Sequence, residues 1–135
     1  PYLHGVGKGL PAVLRAGKLQ KKAGKVGFDW PDLVGVVAKI DEELKEVKDE
    51  LPTNGEVATP ALEAEVGDLL FSVVNLARKL GVDPEAALEG TNVKFEDRFA
   101  VMERELLARG NSLKDASLEE MESGWVRAKS LAAEG

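Results

Sequence analysis

The chain is expected to be all-α: a bundle of about five helices around a central antiparallel helix hairpin. Three observations point there. Each long segment repeats its apolar residues at the helical period of 3.6, and no strand-like alternation competes. Caps such as Asp83-Pro84 and Ser117 stand where these segments should start, and Gly81 and Gly110 where they should stop. Two acid pairs, Glu43 with Glu46 and Glu65 with Asp68, are spaced i, i+3 on neighbouring segments, so each pair shares a helix face.

Residues 1–9, glycine-rich and holding the only histidine, His4, read as a flexible leader, and 10–135 as a single domain. The first helix covers 10–26 through Leu10, Val13, Leu14 and Leu19, weakened by Gly17 and Gly24. Gly27-Phe28-Asp29-Trp30-Pro31 is a connector that becomes a helix start, with Pro31 suited to the first turn. The second helix runs to about Leu51, with Val36, Ile40, Leu44 and Val47 on its stripe. Pro52 to Thr59 should turn, with Asn54-Gly55 at the tip.

The third helix spans Thr59-Pro60 to Gly81. Its stripe is Leu62, Val66, Leu69, Val73, Leu76 and Leu80, yet Leu70, Phe71 and Val74 lie off it. A helix apolar on several sides must be covered on several sides, as a central helix or a subunit interface. The fourth helix begins at Asp83-Pro84 and carries Leu88, Phe95, Phe99, Met102 and Leu106. A last helix starts at Ser117-Leu118-Glu119-Glu120, the pattern of a capping box.

Composition narrows the chemistry. At 135 residues, 44% apolar and 31% charged, the chain has the make-up of one globular domain. It begins at Pro1, as a piece of something longer would. Cysteine is absent and histidine single, which disfavours zinc and non-haem iron. No apolar run reaches the roughly 18 residues that span a membrane, and no signal peptide is visible, so a cytoplasmic setting is the expectation. Residues 1–27 hold six of the 18 basic residues and no acid, leaving 12 basic against 24 acidic residues in the rest. That basic helix lacks interleaved aromatics and precedes an acidic body, so nucleic acid is disfavoured as a partner. Neutralisation of acidic neighbours is the plainer use of its lysines.

The acids are the informative feature. Glu46 and Glu43 precede the end of their helix by five and eight residues, and Glu65 and Asp68 follow the start of theirs by the same intervals. In an antiparallel hairpin all four then stand about 7 to 12 Å from the loop, at one level. Most helix-face acids are solvated decoration. These lie at the margin of the apolar stripes, with Lys39, Glu46 and Glu50 on the flank of Glu43 and Glu42 pointing nearly opposite. Converging carboxylates need a cation, either the chain's lysines or a hard metal ion with oxygen ligands, Mg²⁺ or Mn²⁺. On the fourth helix, Lys94 and Arg98 are spaced i, i+4, with Thr91 near them and Asn92 within the stripe. They read either as surface cations with a buried structural amide or as a clamp for phosphate and sugar.

The order of segments resembles the MazG family of all-α nucleoside triphosphate pyrophosphohydrolases. Glu42-Glu43-Leu44-Lys45-Glu46, 18 residues, then Glu65-Val66-Gly67-Asp68 is similar to the family's acidic signature. Lys18-Leu19-Gln20-Lys21-Lys22-Ala23, Val26 to Trp30, Gly67 to Phe71, Val74 to Arg78, Thr91 to Phe95 and Trp125 to Lys129 are similar to further family segments, in order. The resemblance implies that Glu43, Glu46, Glu65 and Asp68 bind Mg²⁺, with Mn²⁺ as a substitute. It implies that Lys94 and Arg98 hold the triphosphate with Asn92 nearby, and that Trp125 and Lys129 serve the nucleotide pocket. Lys39 and Trp30 are weaker candidates. Val93 departs from the family, which often has a basic residue there. Some members carry two such domains in tandem, whereas one is present here, and the residues leave open whether an N-terminal half is missing.

The implied reaction is hydrolysis of a nucleoside triphosphate to monophosphate and pyrophosphate, in house-cleaning of non-standard or excess nucleotides, by a homodimer or higher homo-oligomer. One of the four acids or Glu50 would be the general base, a choice the residues leave open. A di-iron carboxylate bundle would need Glu-x-x-His pairs, and none is present. A non-catalytic helical interaction or regulatory module is the alternative from another class.

Overall fold

The computed structural model describes residues 1–52 and 58–134, and these form five helices with no strand among them. The expected turn tip at Asn54-Gly55 lies outside the described residues. The chain divides into two compact units, Pro1–Glu85 and Ala86–Gly135.

The first unit holds α1 (Ala12–Gly24), α2 (Leu33–Asp49) and α3 (Pro60–Leu80), with α3 packed against both of the others. Ahead of α1, residues 1–10 form successive turns, and Tyr2 donates from its hydroxyl to the Lys22 carbonyl. The lysines of α1 make no ion pair among the described residues; Lys22 Nζ lies 4.8 Å above the Tyr2 ring. The helix ends follow local chemistry. Thr59 Oγ1 accepts from Leu62 N ahead of Pro60, and Gly81, at φ +72°, closes α3 in the left-handed conformation. At α2 the cap is Asp32, whose side chain accepts from Gly35 N, so Pro31 stands outside the helix rather than in its first turn.

The hairpin is antiparallel. Asp29, just before α2, pairs with Arg78 in the last turn of α3, while Glu46 near the end of α2 lies beside Glu65 near the start of α3. On α2, however, the buried residues are Val36 and Glu43, whereas Leu44 and Val37 are exposed. Positions seven apart point almost the same way, so Glu43 lies within the buried face and not at its margin. On α3, Val74 is buried and approached by Gly17 of α1, whereas Leu70 and Phe71 remain exposed. The central-helix reading therefore accounts for Val74 and leaves those two side chains uncovered.

The second unit contains most of α4 (Pro84–Ala108) and all of α5 (Leu118–Glu134). Met102, Leu106 and Ala128 are its buried apolar residues, and Gly124 lets Met102 lie close against α5. Phe95 stacks on Phe99 and meets Trp125 with ring centroids 5.1 Å apart. Ser117 and Glu120 form the expected reciprocal capping box, each backbone N–H donating 3.1 Å to the other's side chain.

Candidate functional site: an acid cluster beside an aromatic cavity

Three of the four acids meet. Glu43, Glu46 and Glu65 each offer a carboxylate oxygen within 4.8 Å of the other two. The helical spacing carries two of them from α2, and the antiparallel packing of α3 delivers the third. Asp68 is exposed, outside this tight group but close enough for its charge to act on Glu65. Glu42 and Glu50 are exposed.

Their electrostatics differ. Glu43, the most buried acid, is answered by Lys39, whose Nζ lies 2.9 Å from Glu43 Oε1 and 3.4 Å from Glu42 Oε1. The hydrogen bond to Glu43 is the main cause that holds the Lys39 ammonium above its usual range. Glu46 and Glu65 pair with no lysine or arginine among the described residues. Glu65 titrates above the ordinary carboxylate value of 4.5, first through lost hydration, then through the charge and hydrogen-bonding approach of Glu46, then through Asp68 and Glu43. Its Oε2 is buried with no hydrogen-bond partner. A carboxylate starved of water, crowded by like charge and holding an orphan oxygen fits a hard cation with oxygen ligands. The lysine alternative thus describes one of the three acids and leaves the other two unneutralised.

In the same unit a cavity of about 590 Å³ adjoins the acids. Lys39 lines it while bonding Glu43, and Ser72 lines it while donating from Oγ to the Asp68 carbonyl. Its aromatic lining is Phe28, Trp30 and Phe71, all part-exposed or exposed. Trp30 is seated by Gly35: a Cβ there would lie 2.8 Å from the ring. At the far wall, Asp29 receives Arg78 at 2.7 Å and Lys79 at 3.5 Å, and Arg78 in turn donates twice to Asn75 Oδ1. Asp29 is held below its usual value of 3.8 chiefly by the Arg78 hydrogen bond.

The remaining candidates lie on the second unit. Lys94, Asn92 and Lys129 are exposed, and Asn92 Nδ2 donates to Glu89 Oε2 at 3.4 Å. The expectation of a buried structural amide at Asn92 is therefore overturned: α4 turns that part of its stripe, with Leu88 and Phe95, outward. Arg98 is partly buried, and its Nε has no hydrogen-bond partner. Trp125 packs on Phe95.

Sequence reasoning passed over Gln20, Asp29, Asn75 and Arg78 as a group. Gln20 is the one buried residue of α1, and its Nε2 donates 2.9 Å to the Phe71 carbonyl. The available signal was the pair Gly17 and Gly24, three before and four after Gln20, which marks a face open to close approach.

A five-helix protein with carboxylates from two packed helices facing one another, and a cavity alongside, belongs to the class of all-α carboxylate-centred proteins. Residues 35–100 match the MazG nucleotide pyrophosphohydrolase domain, so the chain carries a domain of the MazG family. It is 46% identical over 127 residues to the nucleoside triphosphate pyrophosphohydrolase of Escherichia coli (strain K12), which covers 94% of this chain and 48% of that protein. To the nucleoside triphosphate pyrophosphohydrolase/pyrophosphatase MazG of Thermotoga maritima it is 46% identical over 121 residues, 89% of this chain and 45% of the relative. A stretch of 68 residues, half of this chain, is 47% identical to the uncharacterized protein YabN of Bacillus subtilis. The chain spans about half the length of the first two relatives.

Proposed function

We propose that this chain hydrolyses nucleoside triphosphates to the monophosphate and pyrophosphate. The observation that carries the reading is the trio Glu43, Glu46 and Glu65, gathered within 4.8 Å and short of cations. The names of the relatives from Escherichia coli and Thermotoga maritima support the same chemistry. Glu43, Glu46 and Glu65, with Asp68 beside them, would hold Mg²⁺, for which Mn²⁺ would substitute. When bound, such an ion offsets the repulsion among the acids and polarises phosphate oxygens.

The chain's own residues do the rest. The acids orient a water for in-line attack on the α-phosphorus, and one of them, or Glu50, takes its proton. Lys39 fixes Glu43 in direction through a 2.9 Å contact that also favours the Lys39 ammonium. Lys94 and Arg98 bind triphosphate oxygens with Asn92 near them, and Trp125 and Lys129 serve the nucleotide; for these five the support is family resemblance. Residues 10–135 act as one functional domain in the cytoplasm, paired with a second copy through the exposed Leu70 and Phe71 of α3. Among the described residues no helix is long and apolar enough to cross a membrane.

The test is incubation with each nucleoside triphosphate and Mg²⁺, with pyrophosphate and orthophosphate read separately. Pyrophosphate is the expected product. Orthophosphate would place cleavage elsewhere in the triphosphate, and neither product would leave a non-catalytic helical module.

A further inference from the structure

Residues 1–10 run back along α1, with Tyr2 beside Lys22 near its end and Val6 beside Arg15 near its start. Glycine alternates with larger residues at positions 5, 7 and 9. All three take positive φ, +78°, +63° and +90°, which glycine adopts without strain. Four turn bonds follow, in which the N–H groups of His4, Val6, Lys8 and Leu10 donate to the carbonyls of Pro1, Leu3, Gly5 and Gly7 at 3.0 to 3.2 Å. Each closes inside the segment, so the segment can lift as a unit and break none of them.

Three contacts seat it on α1. The Tyr2 hydroxyl donates to the Lys22 carbonyl at 3.0 Å, Lys22 Nζ lies 4.8 Å above the Tyr2 ring, and Arg15 Nε donates 3.2 Å to the Val6 carbonyl. Gly7 permits the close approach: a Cβ there would lie 3.0 Å from Arg15 Cγ and 3.3 Å from Arg15 Cα. Both hydrogen bonds are exposed, so water competes for their partners. The same seating carries Leu3 into the lining of the cavity, with Leu19, Ala23 and Phe28. A wall completed by a weakly held, separately folded segment is one that local opening can remove.

We propose that residues 1–10 are a strap over the apolar lining of the cavity, latched by Tyr2 on Lys22 and seated by Gly7 on Arg15. Latched, the strap lays Leu3 into the lining and restricts exchange between cavity and solvent. Lifted, it leaves that side open. Its hinge is Gly9 to Pro11, ahead of α1, where the Cβ position of Gly9 has no heavy atom within 4 Å. The strap controls access alone, so it stands apart from the nucleotide reading and is tested without a nucleotide.

The chain has no cysteine, so one introduced thiol reports access without background. Ala23→Cys puts that thiol on the cavity lining beside Lys22, and Ala108→Cys puts a control on an exposed position of the other unit. The rate of alkylation by iodoacetamide is read by mass spectrometry for each, alone and combined with Tyr2→Ala or with Gly7→Ala. Either unlatching change should speed alkylation of Ala23→Cys roughly three- to tenfold, the effect of losing an exposed hydrogen bond with a cation–π contact or a close seat. Ala108→Cys should react at an unchanged rate. An unchanged rate at Ala23→Cys in both combinations overturns the strap. Faster reaction at both thiols overturns it as well, because unfolding rather than lifting would then open the cavity. A response to only one of the two changes overturns the single latched segment.

Discussion

At Glu65, lost hydration and neighbouring like charge act in the same direction. Its carboxyl is raised, so the folded chain holds a proton that the unfolded chain would release. Stability from that group is therefore greatest at acid pH and is lost as pH rises from about 4.5 through the raised value. Glu65→Gln should consequently melt higher than wild type at pH 7 in chelator, with the difference closing toward pH 4. A constant difference across that range would contradict the cause assigned to the shift. The opposite sign is expected for catalysis. Glu43→Ala, Glu65→Ala and Asp68→Ala should each lower pyrophosphate release by at least about 100-fold while circular dichroism reports unchanged helix content. Activity retained in any of the three would remove that acid from the mechanism.

Between residue and whole stand the junctions of elements, and here the α1–α2 connector is the informative one. Asp29 joins it to the end of α3 through Arg78 and Lys79, and the Lys79 ammonium also donates 2.9 Å to the Trp30 carbonyl. The Asp29 carboxyl is depressed, so it contributes stability above its unfolded value of 3.8 that disappears as pH falls through the lower folded value. Asp29→Asn should cost about 1–2 kcal/mol at pH 7 by chemical denaturation and much less at pH 3. Gly35 makes a different point. In an exposed helix, Gly→Ala stabilises by about 0.5–1 kcal/mol, but here the added Cβ would meet the Trp30 ring at 2.8 Å. Gly35→Ala should bring no gain in melting temperature and should shift the tryptophan emission, as the ring leaves its seat on α2.

At the scale of the molecule, the uncovered face of α3 matters most. Leu70 is 59% exposed and Phe71 46%, on a helix that packs against both other helices of its unit. A second copy laid on that face would bury them, and light scattering at micromolar concentration should then give twice the 14.5 kDa of one chain. Leu70→Glu should shift the mass toward a single chain. A single-chain mass for the wild type would remove the dimer.

Much of the fold was legible because helices are local objects. Thr59-Pro60, Gly81 and the Ser117–Glu120 box announce their helix ends through chemistry completed within four residues. The acid spacing was legible too, since i, i+3 positions share a face whatever surrounds them. Which face becomes buried is not local. Packing turned α2 so that Glu43 rather than Leu44 faces inward, and α4 so that Asn92 and Phe95 face outward. The clamp of Asp29, Arg78 and Asn75 joins residues 49 positions apart, a separation at which no periodicity speaks. Pattern along the chain was enough for rods, most of their ends and the acid spacing that lets Glu43, Glu46 and Glu65 meet. The rotation of each rod about its axis, and with it the cavity and the orphan oxygen of Glu65, came only when apolar faces competed for burial against one another.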